Sequence, residues 1–193
     1  YYAMKANTTG SYNTGVGDRA LDSNQTGNRN TAVGYKALED TGNGDDNTAV
    51  GWQALDDCAS SDNTAVGSAA LKLSTTGDSN TAVGAESMEA NTTGQDNTAV
   101  GYRALEANTT GNYNVAVGRV ALGSQATVNN NTAVGYYALG DNSTGAENSA
   151  FGANCMDALT TGNYNDAFGR DALGTGTGFS ECCAFGNSAL KVN

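Results

Sequence analysis

The amino-acid sequence predicts an all-β protein, a parallel β-solenoid (β-roll) of about 11 stacked coils. Three observations support this prediction. The motif Asn-Thr-Ala-Val-Gly recurs along the chain, its anchor glycines lie 17 residues apart except for a 16-residue step between Gly51 and Gly67, and proline is absent from all 193 residues. A repeat this short holds neither a helix pair nor a propeller blade, so each unit must be one coil that stacks on its neighbours. The lack of proline fits a continuous hydrogen-bonded ladder.

Each repeat is numbered here from its leading asparagine, so that Asn30 is position 1 and Leu38 is position 9. Position 4 is Val or Phe and position 9 is Leu or Met in every complete unit. These two columns are predicted to form the core. The glycine at position 5 and the Thr-Gly pairs near position 15 are typical of turns, which predicts two short strands and two turns per coil. The leading asparagines are predicted to form a ladder of stacked side-chain amides at one corner.

Position 3 carries only small residues, alanine in ten units and Gly15 in the other. Strand alternation places this column on the face opposite the valines. Its smallness indicates that another backbone packs closely against it, either because the coil folds flat onto itself or because a second subunit lies there. The core of one coil also looks thin for the chain entropy that it must offset. A homo-oligomer is therefore expected, with contacts at Ala32, Ala49, Ala65, Ala82, Ala99, Ala116 and Ala133.

The repeats run from end to end, so residues 1–193 are predicted to form a single β-solenoid array. Both ends fall inside a repeat, which suggests a segment of a longer fibre protein. The net charge is −11, from 20 acidic and 9 basic residues. This balance argues against nucleic acid or an anionic membrane as the main partner. No stretch has the length and hydrophobicity of a membrane span.

The segment Asn30-Thr31-Ala32-Val33-Gly34-Tyr35-Lys36-Ala37-Leu38 and its copies resemble the head repeats of trimeric autotransporter adhesins. They also resemble the repeat tracts of phage tail-fibre and bacterial surface fibre proteins. The resemblance covers nearly the whole chain, although the period here is longer than that of the adhesin-head unit. It implies a left-handed parallel β-roll, three chains around one axis, and a structural or adhesive role in an extracellular fibre on a cell or virion surface.

Histidine is absent, which excludes Ser-His-Asp and Cys-His nucleophile pairs and ordinary zinc sites. A near-constant period leaves no inserted loops to build a catalytic groove, so we expect no enzyme activity and no required cofactor. Two alternatives stay open. One is a phage spike that binds or cleaves polysaccharide with carboxylates. The other is an ice-binding solenoid, suggested by the threonine column at position 2, which Val115, Ser149, Asp166 and Cys183 interrupt.

Aromatic residues at positions 6 and 7 are the predicted binding residues. These are Tyr35, Trp52, Tyr102, Tyr136 and Tyr137. Exposed aromatic rings can stack on sugars of a host-surface glycan or pack against a protein receptor. The equally weighted alternative is that they only cover the apolar edge of the coil.

A group of four carboxylates is the one candidate for metal binding. Glu39 and Asp40 are predicted to stack against Asp56 and Asp57 of the next coil, about 4.8 Å away. Calcium would relieve their mutual repulsion. A solvated acidic face is the favoured alternative, because no calcium-loop motif is present.

Overall fold

The computed structural model describes residues 2–40 and 42–191, in which every regular element is a strand and none is a helix. The described residues therefore contain no helix with the length and hydrophobicity needed to cross a membrane. Eleven strands form one parallel sheet in chain order. They are β1 (Thr14–Val16), β2 (Thr31–Val33), β3 (Thr48–Val50), β4 (Thr64–Val66), β5 (Thr81–Val83), β6 (Thr98–Val100), β7 (Val115–Val117), β8 (Thr132–Val134), β9 (Ser149–Phe151), β10 (Asp166–Phe168) and β11 (Cys183–Phe185). The predicted parallel β-solenoid is confirmed.

The register follows the sequence repeat throughout. Each strand residue lies beside its counterpart in the next unit, as Ala32 does beside Ala49. The 16-residue step keeps this register, since Ala49 lies beside Ala65. The missing residue falls in the turn before Asn63, where the carbonyl of Ser60 accepts the Asn47 amide bond that a glycine carbonyl accepts in most other coils. A deletion in a turn therefore leaves the sheet intact.

Each coil contains one strand, so the second strand predicted per coil is wrong. Positions 6–11 form a turn-rich segment in which positions 7 and 9 have left-handed backbone angles, as Lys36 (φ 58°) and Leu38 (φ 51°) show. The segment still bonds to both neighbouring coils. Lys36 N–H donates to the Asp18 carbonyl at 3.0 Å, and Leu38 N–H donates to the Ala54 carbonyl at 3.1 Å. Left-handed angles cost about 1–2 kcal/mol per non-glycine residue, which the stacked bonds must offset.

The core consists of the alanines at positions 3 and 8 and the Leu or Met at position 9. In the coil that starts at Asn97, these are Ala99, Ala104 and Leu105, and all three are completely buried. The prediction for position 9 is confirmed, whereas the prediction that the position 4 valines are core is wrong. Val33 is 36% exposed and Phe185 is 68% exposed, because positions 2 and 4 of the strand point outward while position 3 points inward.

The narrow interior explains why position 3 is always small. At Gly15, an added Cβ would lie 2.8 Å from the Met4 side chain and 3.3 Å from the Ala20 carbonyl oxygen, both on the opposite wall of the roll. Of the two explanations for the small column, the coil folding onto itself is therefore the correct one. A different contact requires the glycine at position 5. Gly101 has φ +136°, and a Cβ there would lie 2.5 Å from the Gly118 carbonyl oxygen of the next coil.

The predicted asparagine ladder lies at position 1, which we call the first corner. From Asn13 to Asn165, each Oδ1 accepts the backbone N–H of position 1 in the following coil at 2.9–3.1 Å. Direct amide-to-amide bonds add to this in part of the ladder, as from Asn114 to Asn97 at 3.1 Å. The ladder is confirmed, with backbone-to-amide bonds as its constant element.

Candidate functional site

Columns of outward side chains make up the surface of the roll, because each coil repeats the same backbone path. The strand presents positions 2 and 4 on one face. The turn-rich segment presents positions 6, 7, 10 and 11 on the adjoining side. Any site must therefore combine residues from neighbouring coils, one repeat apart in sequence.

The predicted aromatic residues lie on the side that the turn-rich segment forms. Tyr35, Trp52, Tyr102 and Tyr136 are exposed at position 6. Tyr35 and Trp52 occupy adjacent coils, and Lys72 Nζ lies 5.8 Å from the Trp52 ring centroid. Tyr102 and Tyr136 flank Arg119, whose Cζ lies 5.7 Å from the first ring centroid and 5.9 Å from the second. The structure thus divides the predicted set into two separate aromatic groups.

Tyr137 differs from the other four aromatic residues because it is half-buried at position 7. Its hydroxyl donates a hydrogen bond to Asp141 Oδ1 at 2.6 Å. This bond, together with burial, raises the pKa of Tyr137 to about 12. The ring centroid of Tyr137 lies 6.1 Å from that of Tyr136. Tyr137 therefore acts as a fixed neighbour of the Tyr136 ring.

The exposed tyrosines at position 17 escaped the sequence analysis. They are Tyr12, Tyr113 and Tyr164, and they lie immediately before the first corner. The signal was present as a recurring aromatic at one position of the repeat, but this position falls in the variable polar segment. No two of them occupy neighbouring coils, so they do not form a joint surface.

The four predicted calcium ligands do not point to a common centre. Glu39 and Asp56 at position 10 are buried, while Asp40 and Asp57 at position 11 are exposed. Glu39 is engaged by two cations, at 2.5 Å from Lys36 Nζ and 3.2 Å from Arg19. Asp40 accepts a hydrogen bond from the Ser23 hydroxyl at 2.8 Å. Since Lys36 and Arg19 already pair with the buried Glu39, this geometry favours a partly buried, ion-paired acidic group over a calcium site, and calcium binding here stays a prediction.

Asp56 has the most perturbed carboxylate of this group. It is only 7% exposed, its Oδ2 accepts a bond from Gln53 Nε2 at 2.9 Å, and its Oδ1 has no hydrogen-bond partner. Burial raises the pKa of Asp56 to about 6, against the opposing effect of the nearby Lys36 ammonium. The carboxyl group therefore gains a proton at mildly acidic pH.

A second acidic cluster was not predicted from the sequence. Glu86, Glu89 and Glu106 bring their carboxylate oxygens within 4.8 Å of one another, on three half-buried side chains. Arg103 lies beside them, with contacts of 3.0 Å to Glu86 and 2.7 Å to Glu106. The single positive charge of the guanidinium is shared between two of the three carboxylates. Stacked positions 7 and 10 thus generate ion-pair networks in this acidic chain.

The predicted oligomer contacts at position 3 are wrong. Ala32, Ala49, Ala65, Ala82, Ala99, Ala116 and Ala133 are completely buried inside a single chain. Their side chains cannot contact another subunit, because they face the opposite wall of their own roll. The apolar surface that remains for a partner is the position 4 column. It ends in a stack of three phenylalanines, with centroid distances of 4.7 Å from Phe151 to Phe168 and 4.9 Å from Phe168 to Phe185.

Comparison with known proteins adds no family to this picture. The chain matches no protein-family model, no curated protein and no solved structure. Function must therefore be inferred from the surface columns themselves.

Proposed function

We propose that this chain is a rigid, non-catalytic segment of an extracellular or virion-surface fibre, serving as a stalk or head in attachment. The observation that carries the proposal is the unbroken in-register stack of eleven strands, in which even the 16-residue step leaves the ladder continuous. At about 4.8 Å per coil the stack is roughly 50 Å long. A rod of uniform cross-section transmits force and spaces a binding surface from its anchor.

Three parallel chains assemble in this proposal through the strand face. Position 4 is Val or Phe in every strand and lies outward on the same face as position 2, which is threonine in most strands. This apolar strip runs the full length of the sheet. Soluble monomers seldom expose a continuous apolar strip of this kind, whereas subunit interfaces bury it. The trimer thus uses the valine and phenylalanine column in place of the alanine column first expected.

Sedimentation velocity of the wild-type segment and two double variants tests this assembly. Val66→Asp with Val100→Asp places two charges on the strand face, and we expect dissociation into monomers. Thr76→Asp with Thr93→Asp adds the same charge at the exposed position 14, away from the strand face, and should leave the trimer intact. A wild-type segment that sediments as a folded monomer at micromolar concentration would refute the trimer.

The attachment role rests on the exposed aromatic residues at position 6. Beads coated with the segment are expected to bind cells or immobilised glycans, and Tyr35→Ala with Trp52→Ala or Tyr102→Ala with Tyr136→Ala should reduce that binding. Soluble polysaccharide incubated with the segment should remain uncleaved. Release of oligosaccharide would instead establish a cleaving spike.

A second candidate function, ice binding, is favoured by one observation. Thr31, Thr48, Thr64, Thr81 and Thr98 lie in register on the outward strand face, next to exposed valines. A flat array of threonine and valine can order water at a regular spacing. Freezing hysteresis of the purified segment decides between the two, because a trimer that buries the strand face leaves none of this array for ice.

A further inference from the structure

Arg119 occupies an unusual place on the surface of the roll. It lies at position 6, with Tyr102 at the same position of the preceding coil and Tyr136 at that of the following coil. The guanidinium is held between the two rings, with Cζ 5.7 Å and 5.9 Å from their centroids. Such cation–π contacts fix a long side chain that would otherwise be mobile.

Among the described residues, no acidic side chain forms an ion pair with this guanidinium. Arg119 is the one charged residue in its repeat, residues 114–130, although the whole chain carries a net charge of −11. The nearest arginines on either side along the sequence do form ion pairs. Arg103 contacts Glu86 and Glu106, and Arg170 contacts Asp171. Within residues 2–40 and 42–191, no carboxylate lies within ion-pair distance of Arg119.

The flanking rings keep accessible surface of their own. Tyr102 is 40% exposed and Tyr136 is 49% exposed. The described residues enclose no pocket, so a ligand would lie flat across the columns. Tyr rings present the apolar, electron-rich faces on which sugar C–H groups stack, while arginine offers a planar pair of N–H donors that matches a carboxylate.

We infer that Tyr102, Arg119 and Tyr136 form a binding site for a carboxylate-bearing saccharide, that is, a uronic or nonulosonic acid residue of a glycan. The guanidinium donates a pair of hydrogen bonds to the carboxylate, and one Tyr ring stacks on the sugar. This inference rests on the proposed attachment role and specifies its ligand class. Tyr137, held by its bond to Asp141, supports the Tyr136 ring.

The test is an NMR titration of the wild-type segment with two acidic probes and their neutral counterparts. A hyaluronan tetrasaccharide is paired with its carboxyl-reduced form, and sialyllactose is paired with lactose. We expect at least one acidic probe to bind and its neutral counterpart to bind about tenfold more weakly or worse, because the neutral probe cannot accept charge-assisted hydrogen bonds from the guanidinium.

Matched variants assign the binding to this site. Arg119→Gln and Tyr136→Ala are each expected to weaken binding of the acidic probe about tenfold or more. Arg170→Gln removes the same charge from the same repeat position, without flanking tyrosines, and should bind like the wild type. Melting temperatures of all variants confirm that the fold is retained.

Three results would overturn the inference. Neither acidic probe binds, or the neutral counterpart binds as well as the acidic one, or Arg119→Gln and Arg170→Gln have the same effect. None of these results touches the fibre role, because Arg119 lies outside the strand face and trimer formation is measured independently by sedimentation. Conversely, a monomeric segment that binds the acidic probe through Arg119 would refute the trimer and retain the site.

Discussion

The two corners of the coil both bury asparagines, but the asparagines differ in how many coils each one connects. At the first corner, Asn97 Oδ1 accepts the N–H of Asn114 in the next coil at 2.9 Å, and Asn97 Nδ2 donates to the Gly111 carbonyl of its own coil at 2.8 Å. At the second corner, which comprises positions 12–15, Asn108 accepts the Gly111 N–H and donates to the Gly111 carbonyl of its own coil, both at 3.1 Å. It also donates to Asn91 Oδ1 of the preceding coil at 3.1 Å, but its side chain makes no bond to the described residues of the following coil.

The sequence reflects this difference in connection. Position 1 is asparagine in every strand-bearing repeat except the last, where Cys182 still donates its N–H to Asn165 Oδ1 at 3.1 Å. Position 12 varies widely across the described coils, being Asn7, Asn24, Cys58, Ser74, Asn91, Asn108, Gln125, Asn142, Leu159 and Gly176. The side chain that ties a coil to both neighbouring coils and to its own far corner is asparagine in ten of the eleven strand-bearing repeats. The side chain that bonds its own turn and at most the preceding coil varies much more.

Truncation at the first corner is expected to have the largest effect. Asn97→Ala removes four hydrogen bonds: those that Asn97 Oδ1 accepts from the N–H and Nδ2 of Asn114, and those that Asn97 Nδ2 donates to Asn80 Oδ1 and the Gly111 carbonyl. Each bond contributes about 0.5–1.5 kcal/mol, so we expect a loss of about 2–6 kcal/mol in the free energy of unfolding. Urea denaturation monitored by circular dichroism measures it. A loss below about 1 kcal/mol would contradict the bridging role of this corner.

Truncation at the second corner of the same coil should cost less. Asn108→Ala removes three hydrogen bonds, with the Gly111 N–H, the Gly111 carbonyl and Asn91 Oδ1, and the carbonyl keeps its bond from Asn97. At about 0.5–1.5 kcal/mol per bond we expect a loss of about 1.5–4.5 kcal/mol in the same urea experiment. An effect equal to or larger than that of Asn97→Ala would show that the two corners do not differ as argued.

A change of pH should alter the stability contributed by the buried carboxylates just before the second corner. The amides of the first corner do not titrate, so their contribution should stay constant. Because the pKa of Asp56 is about 6 in the folded protein and near 3.8 in the unfolded chain, the folded state holds this proton more tightly. The contribution of Asp56 to stability is therefore present below pH 3.8 and is lost as the pH rises to about 6, by an amount on the order of 1–2 kcal/mol.

The comparison of Asp56→Asn with Asp57→Asn isolates this effect. Thermal melts between pH 3.5 and pH 7 should show a smaller decline for the Asp56→Asn variant than for the wild type, because burial also raises the pKa of Asp157. The exposed Asp57→Asn variant should retain the full decline. If both variants follow the wild-type profile, the carboxyl group of Asp56 is not the titrating group.

The smallest effect is expected where the second corner already departs from the common pattern. Gln125 at position 12 leaves its Nε2 without a partner, and Val128 at position 15 is buried where most other coils have glycine. The double change Gln125→Asn with Val128→Gly restores the Asn-to-Gly turn bond but loses the burial of the valine side chain. We expect the free energy of unfolding to change by less than about 1 kcal/mol. Urea denaturation again measures the change, and a loss above about 2 kcal/mol would show that the second corner does not tolerate exchange.

Much of the architecture follows from the sequence because a strict period fixes how copies of one unit align. The 17-residue spacing predicted the parallel register, the Leu and Met column predicted part of the core, and the leading asparagines predicted the ladder. The exposed positions of Tyr35, Trp52, Tyr102 and Tyr136 also followed from the variability of position 6. Stacking of identical units determines each of these features, and spacing alone reveals it.

Only the tertiary structure decided which face of the strand is inside. Alternation separates Ala32 from Val33 onto opposite faces, but it does not say which face the rest of the coil covers. The covering wall comes from positions 7–9, where Leu38 and its counterparts take left-handed backbone angles that a leucine does not adopt by its own preference. The bonds between coils impose that conformation, which closes the roll over the alanines and leaves the valines outside. Arg119 came to lie between two tyrosines for the same reason, since residues one repeat apart become neighbours only after the coils stack.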